Sequence, residues 1–334
     1  MAIGAVPGQR VTARIFLKIV KPLSSCQKGV SLVVVLWVLA LLMIIATELV
    51  YTVRVDSLSA ANFRDEAAAQ SLASAGITLG IAEIAAPYKF VVLDEDKRVG
   101  FLKQDEQYTE RSRSFELGGG NVEYVIEDEA GRLNLNTAQR EVIVDLFRAS
   151  GVEGAGLDII VDSIVDWRDE NHEHHLNGAE DDYYMSLPGP YGAKDGNFDT
   201  VEEVLLVKGM STDVLYGTEK TSGTEKNGHS GLKGIENQLT VNGDGKININ
   251  TASEEVLRAA LGEGKAQEIL LRRKTEGYYT IPAFGGAVSS SVFTIVSTGT
   301  VKGLSFKIRA IAEKSGNGVR VVYWNEGVLP GMGN

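Results

Sequence analysis

Lys28-Gly29-Val30 and the apolar run behind it, Ser31-Leu-Val-Val-Val-Leu-Trp-Val-Leu-Ala-Leu-Leu-Met-Ile-Ile-Ala-Thr47, decide how the rest of the chain is read. Val30 to Thr47 carries no charge. With Leu49 to Val53 added beyond Glu48, the segment reaches the roughly 20 residues a helix needs to cross a bilayer core. Arg10, Arg14, Lys18, Lys21 and Lys28 precede it, with no acid among them. That charge asymmetry places residues 1–29 in the cytoplasm and the remainder across the membrane. Apolar positions then recur at Leu58, Ala61, Ala68, Leu72, Ala75, Leu79 and Ala82, in helical steps, until Pro87. The pattern predicts one helix over 30–86, about 85 Å long at 1.5 Å per residue, with its membrane part over 30–53.

Three kinds of N-terminus fit a basic segment followed by an apolar one. A cleaved secretory signal has an apolar core of about 7–15 residues and a small-residue site directly behind it. Here the core is longer, and the nearest such site, Leu58-Ser59-Ala60, lies beyond Glu48, Arg54 and Asp56. A plain anchor accounts for the hydropathy but not for the Lys28-Gly29 step or the amphipathic continuation. The third kind is a prepilin. The start resembles the type IV pilin class, in which a prepilin peptidase cuts behind a Gly between a basic leader and a hydrophobic helix. That resemblance implies a leader over 1–29 and cleavage between Gly29 and Val30. Pilins usually carry Glu at the fifth residue after the cut, and here Val34 stands there.

The net charge of the whole chain is −11, and loss of the leader leaves −16. A surface of that sign repels a phosphate backbone. The only cysteine, Cys26, lies in the leader. The mature chain therefore has no disulfide, which leaves metal ions as candidate cross-links in an oxidising compartment.

Beyond the helix, Phe90 to Leu93 is a short apolar patch, and Asn121-Val-Glu-Tyr-Val-Ile126 alternates as a half-buried strand does. Gly118-Gly119-Gly120 before it is a turn. Three more strands are predicted over Val292–Thr298, Phe306–Ala312 and Val319–Trp324. The expected fold class is α+β: a long N-terminal transmembrane helix on an antiparallel, type IV pilin-like sheet. The β domain spans 87–136 and 287–334 in this reading, with an inserted α-helical domain over 137–286.

The insertion contains a repeat. Gly131-Arg-Leu-Asn-Leu-Asn-Thr-Ala138 recurs as Gly245-Lys-Ile-Asn-Ile-Asn-Thr-Ala252, each copy followed by Glu-Val in a helix (Glu141-Val142, Glu255-Val256). Asn136 and Asn250, or the threonine after each, are candidate helix caps. The second copy continues through Leu261-Gly-Glu-Gly264 into Ala266, Ile269 and Arg273, which resembles a helix-hairpin-helix unit. Glu202 to Gly209 is a possible half of another. Such units often hold DNA by backbone amides and nearby cations, and Lys265, Arg272, Arg273 and Lys274 are the candidates here. Against this, the first hairpin, Gly151 to Gly156, has Glu153 and no base, and Asp162 to Glu203 holds twelve acids against Arg168 and Lys194. An envelope-anchored, competence-type DNA-binding protein is therefore the alternative reading, and no nucleic acid is expected. Gly217 to Asn237, with GTEK twice among Gly, Ser and Thr, reads as a flexible segment.

The densest chemistry lies in the loop over 166–184, from Asp166-Trp-Arg-Asp169-Glu170 to Asn177-Gly-Ala-Glu180-Asp181-Asp182-Tyr-Tyr184. Carboxylates and amide oxygens crowded on an irregular loop suit Ca²⁺, which takes six to eight oxygens in flexible geometry. Taken together, several features resemble the general secretion pathway protein K family, the large minor pseudopilins of type II secretion. They are the prepilin start lacking its Glu, the Gly-Arg-x-Asn-Leu-Asn-Thr-Ala run, Asp166-Trp-Arg-Asp169, Asn177-Gly-Ala-Glu-Asp-Asp-Tyr-Tyr184 and the segment up to Val207-Lys-Gly209. The resemblance implies structural Ca²⁺ in the inserted domain, with Asp169, Glu170, Asn177, Glu180 and Asp181 as ligands and Asp166 as a further candidate. It implies no catalysis. His172, His174 and His175 lie outside the pattern. With Glu170 and Glu173 they offer a Zn²⁺ reading, but they lack the i, i+4 helical spacing of zinc proteases. Asn242-Gly-Asp244-Gly245 mimics the centre of an EF-hand. Thr240 and Thr251 stand where its first and last carboxylates are needed, so it reads as a turn.

The resemblance implies a protein that initiates or caps the tip of a periplasmic pseudopilus. It sits in the inner membrane by a single span, with the leader cytoplasmic and the head periplasmic. Its implied partners are other minor pseudopilins, the major pseudopilin, the prepilin peptidase, the inner-membrane secretion platform and membrane lipid. The missing Glu agrees. In a bundled filament core a Glu compensates the buried N-terminal ammonium of a neighbouring subunit, and a subunit with nothing ahead of it needs no such Glu.

Overall fold

The computed structural model describes residues 28–94, 97–103, 112–218, 231–316 and 318–327. It divides into two units, one up to Asn62 and one from Phe63 onward. The leader expected over 1–29 lies outside the described residues, apart from Lys28 and Gly29. Helix α1 runs from Lys28 to Ala85. In the first unit its side chains from Val30 onward are almost all exposed, Trp37 and Met43 by 74% and 67%. It is the one described helix long and apolar enough to cross a membrane. Thr47 and Thr52 turn their hydroxyls back onto the carbonyls of Met43 and Glu48, so neither needs an outside partner.

In the second unit the hairpin of β1 (Phe90–Leu93) and β2 (Val99–Leu102) follows, then β3 (Ser114–Leu117) and β4 (Gly120–Asp128). Strand β5 (Leu133–Asn134) leads into helices α2 (Arg140–Ala149), α3 (Ala155–Arg168), α4 (Asp181–Met185) and α5 (Thr212–Tyr216). Strand β6 (Leu239–Thr240) pairs in parallel with β5, and α6 (Glu254–Leu261) and α7 (Glu263–Thr275) complete the insertion. Strands β7 (Val292–Val301), β8 (Leu304–Ser315) and β9 (Gly318–Glu326) close the chain. The main sheet is antiparallel in the order β3-β4-β7-β8-β9. Strands β4 and β7 pair directly, Asp128 opposite Phe293, so the helical segment is inserted between two neighbouring strands without interrupting the sheet.

The face of α1 that meets the sheet is not the stripe expected from apolar spacing. Leu79 and Leu58 are exposed, and Ala82 is too. The buried positions are Asp65, Ala69, Leu72, Ala73, Gly76, Ile77, Gly80 and Ile84. The stripe is rotated by about one residue, or 100°: small residues stand where α1 approaches the sheet most closely, at Ala69, Ala73, Gly76 and Gly80, with Leu72, Ile77 and Ile84 filling the space beside them. A Cβ on Gly299 would lie 2.1 Å from the carbonyl oxygen of Ala69.

The two repeat copies are built alike. Asn134 and Asn248 each accept from the amide two residues on. Asn136 and Asn250 cap no helix: α2 starts at Gln139 without a side-chain cap, and Ser253 caps α6. Each instead clamps a distant strand-like segment. The Asn136 amide donates to Phe198 and Val241 and accepts from Phe198 N–H. Asn250 donates to the Tyr279 carbonyl at 3.0 Å and accepts its N–H at 2.7 Å. The last turn of the second helix of each copy carries an arginine that turns back onto the repeat. Arg168 donates to the carbonyls of Leu135 and Ala138, and Arg273 to those of Ile249 and Ala252. Replacing Asn250 by Ala leaves two backbone groups of Tyr279 unsatisfied at a buried position. It should cost about 3 kcal/mol, read as a lower denaturant midpoint with an unchanged slope.

Most of the insertion shares one core, with Phe147, Ile164, Trp167, Tyr184, Leu215, Ile235 and Leu257 among its buried members. The segment read as flexible over 217–237 has anchored ends. Gly217 bridges Lys233, and Leu232 and Ile235 are buried. The two GTEK runs fall almost wholly on residues 219–230, outside the described residues.

Candidate metal centre

Helix α3 places Asp162 and Asp166 one turn apart on its buried side, and Asp169 is its C-cap. Trp167 between them is the anchor. Its indole N–H donates to Glu203 at 2.9 Å, and its ring meets Tyr184 edge-on at 5.1 Å, with Tyr191 and Phe198 beyond. These aromatics hold the ends of the loop, so its carboxylates converge. Glu180, just before α4, is 3% exposed, and neither of its carboxylate oxygens has a hydrogen-bond partner. Asp195 brings a further buried, unpartnered oxygen, from a backbone held at φ 50°.

Two groups of candidate ligands result. One is Asp166, Asp169 and His175; the other is His172, Glu180 and Asp195. Within each, one donor atom per residue lies within 4.8 Å of the others. Asp166 fits because residue 178 is glycine: a Cβ there would stand 1.8 Å from Asp166 Oδ2. The cations nearby are engaged elsewhere. Arg140 pairs with Asp162, Lys194 with Asp199 and Glu203, and Lys208 donates to the carbonyls of Asn177 and Gly178. Burial, and then the charges of Asp166, Asp195 and Asp169, push the Glu180 carboxyl up from 4.5 to about 7.

Of the sequence candidates, Asp166, Asp169 and Glu180 thus enter these groups, and Glu170, Asn177 and Asp181 do not. Glu170 is exposed. The Asn177 amide donates to Asp162, and Asp181 accepts from the Ala193 N–H. Asp195 enters the second group without a local sequence signal, being a lone Asp before Gly196 in a long loop.

A raised carboxyl pKa in the folded state adds stability that is complete below the unfolded value and lost as the pH rises through the folded one. Without divalent cations, the chain should therefore lose stability between about pH 4.5 and about pH 7. Urea midpoints on either side of that window check the sign; equal midpoints would mean that Glu180 is open to water.

Two profiles described as "Type II secretion system (T2SS), protein K" match residues 121–219 and 247–299. The type II secretion system protein K of Pseudomonas aeruginosa is 27% identical over 265 residues, 75% of this chain and 74% of that one. That of Pectobacterium carotovorum subsp. carotovorum is 26% identical over 207 residues, 57% and 60% of the two chains. The chain belongs to the type II secretion system protein K family. Like the family, it is a minor pseudopilin of that system. The fold agrees: the chain resembles a solved structure, the GspK-GspI-GspJ complex of enterotoxigenic Escherichia coli, with a TM-score of 0.58 at 16% identity. That match covers 82% of this chain and all of the solved one. The competence-type DNA-binding alternative is not favoured, and the structure gives a physical reason. Arg273, the most central candidate for a phosphate, is spent on the carbonyls of its own repeat, and Arg272 lies over the Tyr279 ring and pairs with Glu276.

Buried carboxylate oxygens without partners cost free energy until a cation or proton meets them. Glu180 and Asp195 supply three such oxygens, and Asp166 stands beside them.

Proposed function

We propose that this protein K starts or caps the tip of the periplasmic pseudopilus, as a structural, non-enzymatic subunit anchored by α1 in the inner membrane. The observation that carries the reading is the helical insertion between the paired strands β4 and β7. An addition of that size to a pilin-type sheet has to be accommodated once at a tip, but at every step along a filament. Val34 supports it, since a subunit with nothing ahead of it needs no carboxylate for a neighbour's ammonium. The partners are other minor pseudopilins, the major pseudopilin below them, the prepilin peptidase, the secretion platform and membrane lipid. The head faces the periplasm by the charge asymmetry around α1. Antibody labelling or cryo-EM of overproduced pseudopili should find one copy, at one end; copies along the filament length would overturn the tip assignment.

Processing between Gly29 and Val30 is part of this reading. Gly29→Val should give an uncut chain that stays in the membrane and fails to enter pseudopili, with secretion lost. Mass spectrometry of the mature N-terminus decides it. A chain beginning at Met1, or one cut near Ala60, would refute the prepilin assignment.

The reading also gives the loop over 166–184 a structural Ca²⁺ role, with Asp166, Asp169, Glu180 and Asp195 as the ligands best placed for it. A divalent ion there ties α3 to α4 and to the segment around Asp195, in a chain whose mature part has no cysteine.

A further inference from the structure

Both candidate ligand groups contain an imidazole, and Ca²⁺ takes oxygen. Imidazole together with carboxylate is the donor set of zinc and its neighbours in the first transition row. We propose that His172, Glu180 and Asp195 form a mixed nitrogen–oxygen site for a borderline divalent ion of the zinc class, beside the oxygen ligands around Asp166.

Three observations converge. Glu180 is 97% buried, with both oxygens unpartnered, and it is directed into this group. Asp195 adds an unpartnered buried oxygen, and its other oxygen faces His172 Nδ1 at 3.4 Å. His172 itself has a side chain 70% exposed, with Asp195 as its ring partner. Ligands at about 2.0–2.2 Å in a tetrahedron stand about 3.4 Å apart. His172 Nδ1 already stands at that separation from Asp195, 3.4 Å, and the three donor atoms all lie within 4.8 Å of one another. Three protein ligands leave one position to water. The other histidines differ in their surroundings. His174 faces the exposed Asp182, and His175 is held against Asp166 by both its ring and its backbone N–H.

The proposal rests on the loop being a cation site, as in the proposed function, and the test separates the two. Full-length chain in detergent, stripped of metal, is titrated with Zn²⁺, with Ca²⁺, and with Co²⁺ as a spectroscopic probe. One equivalent of Zn²⁺ should raise the melting temperature, and Co²⁺ should give the visible absorption of a nitrogen-containing site of fewer than six ligands. His172→Ala, at an exposed position, should weaken Zn²⁺ by more than the roughly 10–100-fold that an outer partner's loss costs. It should leave the Ca²⁺ shift unchanged. Glu180→Gln should remove both shifts, and His174→Ala neither. A Ca²⁺ shift with no Zn²⁺ shift, or a Zn²⁺ shift that survives His172→Ala, overturns the mixed site and leaves the calcium reading standing. No response to any of the three ions overturns both.

Discussion

Chelation with EGTA should lower the melting temperature of the full-length chain by about 5–10 °C, and protease should then cut between Asp166 and Tyr184. The expected size follows from linkage. An ion that binds only the folded state at a hundredfold excess over its Kd adds about 2.7 kcal/mol. For a domain of this size each kcal/mol moves the midpoint by about 2–4 °C. The direction follows from the site. Glu180, Asp166, Asp169 and Asp195 lie close enough for their charges to disfavour ionisation of Glu180, and a divalent cation reverses that sign. Glu180→Gln sharpens the test. It should be more stable than the parent chain in EGTA, because an unpaired buried carboxylate has gone. It should be less stable in Ca²⁺, because a ligand has gone. Replacing His174 and His175 together by Ala should not reproduce the chelation effect. A chain whose melting and proteolysis ignore EGTA has no structural ion, and the acidic run is then a solvated loop.

Gly299→Ala costs the second unit about 3 kcal/mol or more. The added Cβ meets the Ala69 carbonyl oxygen at 2.1 Å and the Ala73 nitrogen at 2.6 Å. Both are helix backbone, so no rotamer change relieves the contact, and α1 has to lift from β7. Gly76 repeats the arrangement one turn along, against the Ser297 hydroxyl, where a side chain can give way. Gly264→Ala is the control: it lies in α7 with open space around its Cβ position. It should raise stability by about 0.4–1 kcal/mol through the unfolded chain. Equal midpoints for the two variants would mean that the helix does not rest on the sheet as described.

Hydropathy alone does not reveal the buried face of α1, because it ranks Leu79 above Gly80, whereas a helix lying close on a strand needs the smaller residue inward. Asn136 and Asn250 look like caps because both precede helices. Their actual partners, Phe198 with Val241 and Tyr279, lie far along the chain and leave no local trace. Arg273 sits in a cationic run, and nothing in its neighbourhood reveals that its guanidinium closes its own repeat.

What the sequence determined by itself is whatever depends on period and order. The uncharged run behind Gly29 requires an apolar helix. Alternation over Asn121–Ile126 and three apolar runs near the C-terminus require a sheet. Two copies of one octapeptide require two alike units between them. Each signal survives in a one-dimensional pattern because the backbone repeats every 3.6 or every 2 residues. The tertiary structure alone decided which carboxylates meet. Asp166 lies on α3, Glu180 at the N-cap of α4 and Asp195 in the loop beyond, and their charges come within reach of one another because Trp167, Tyr184, Tyr191 and Phe198 pack into one aromatic anchor. Loops have no period, so the positions of their side chains follow from what the core beneath them holds in place.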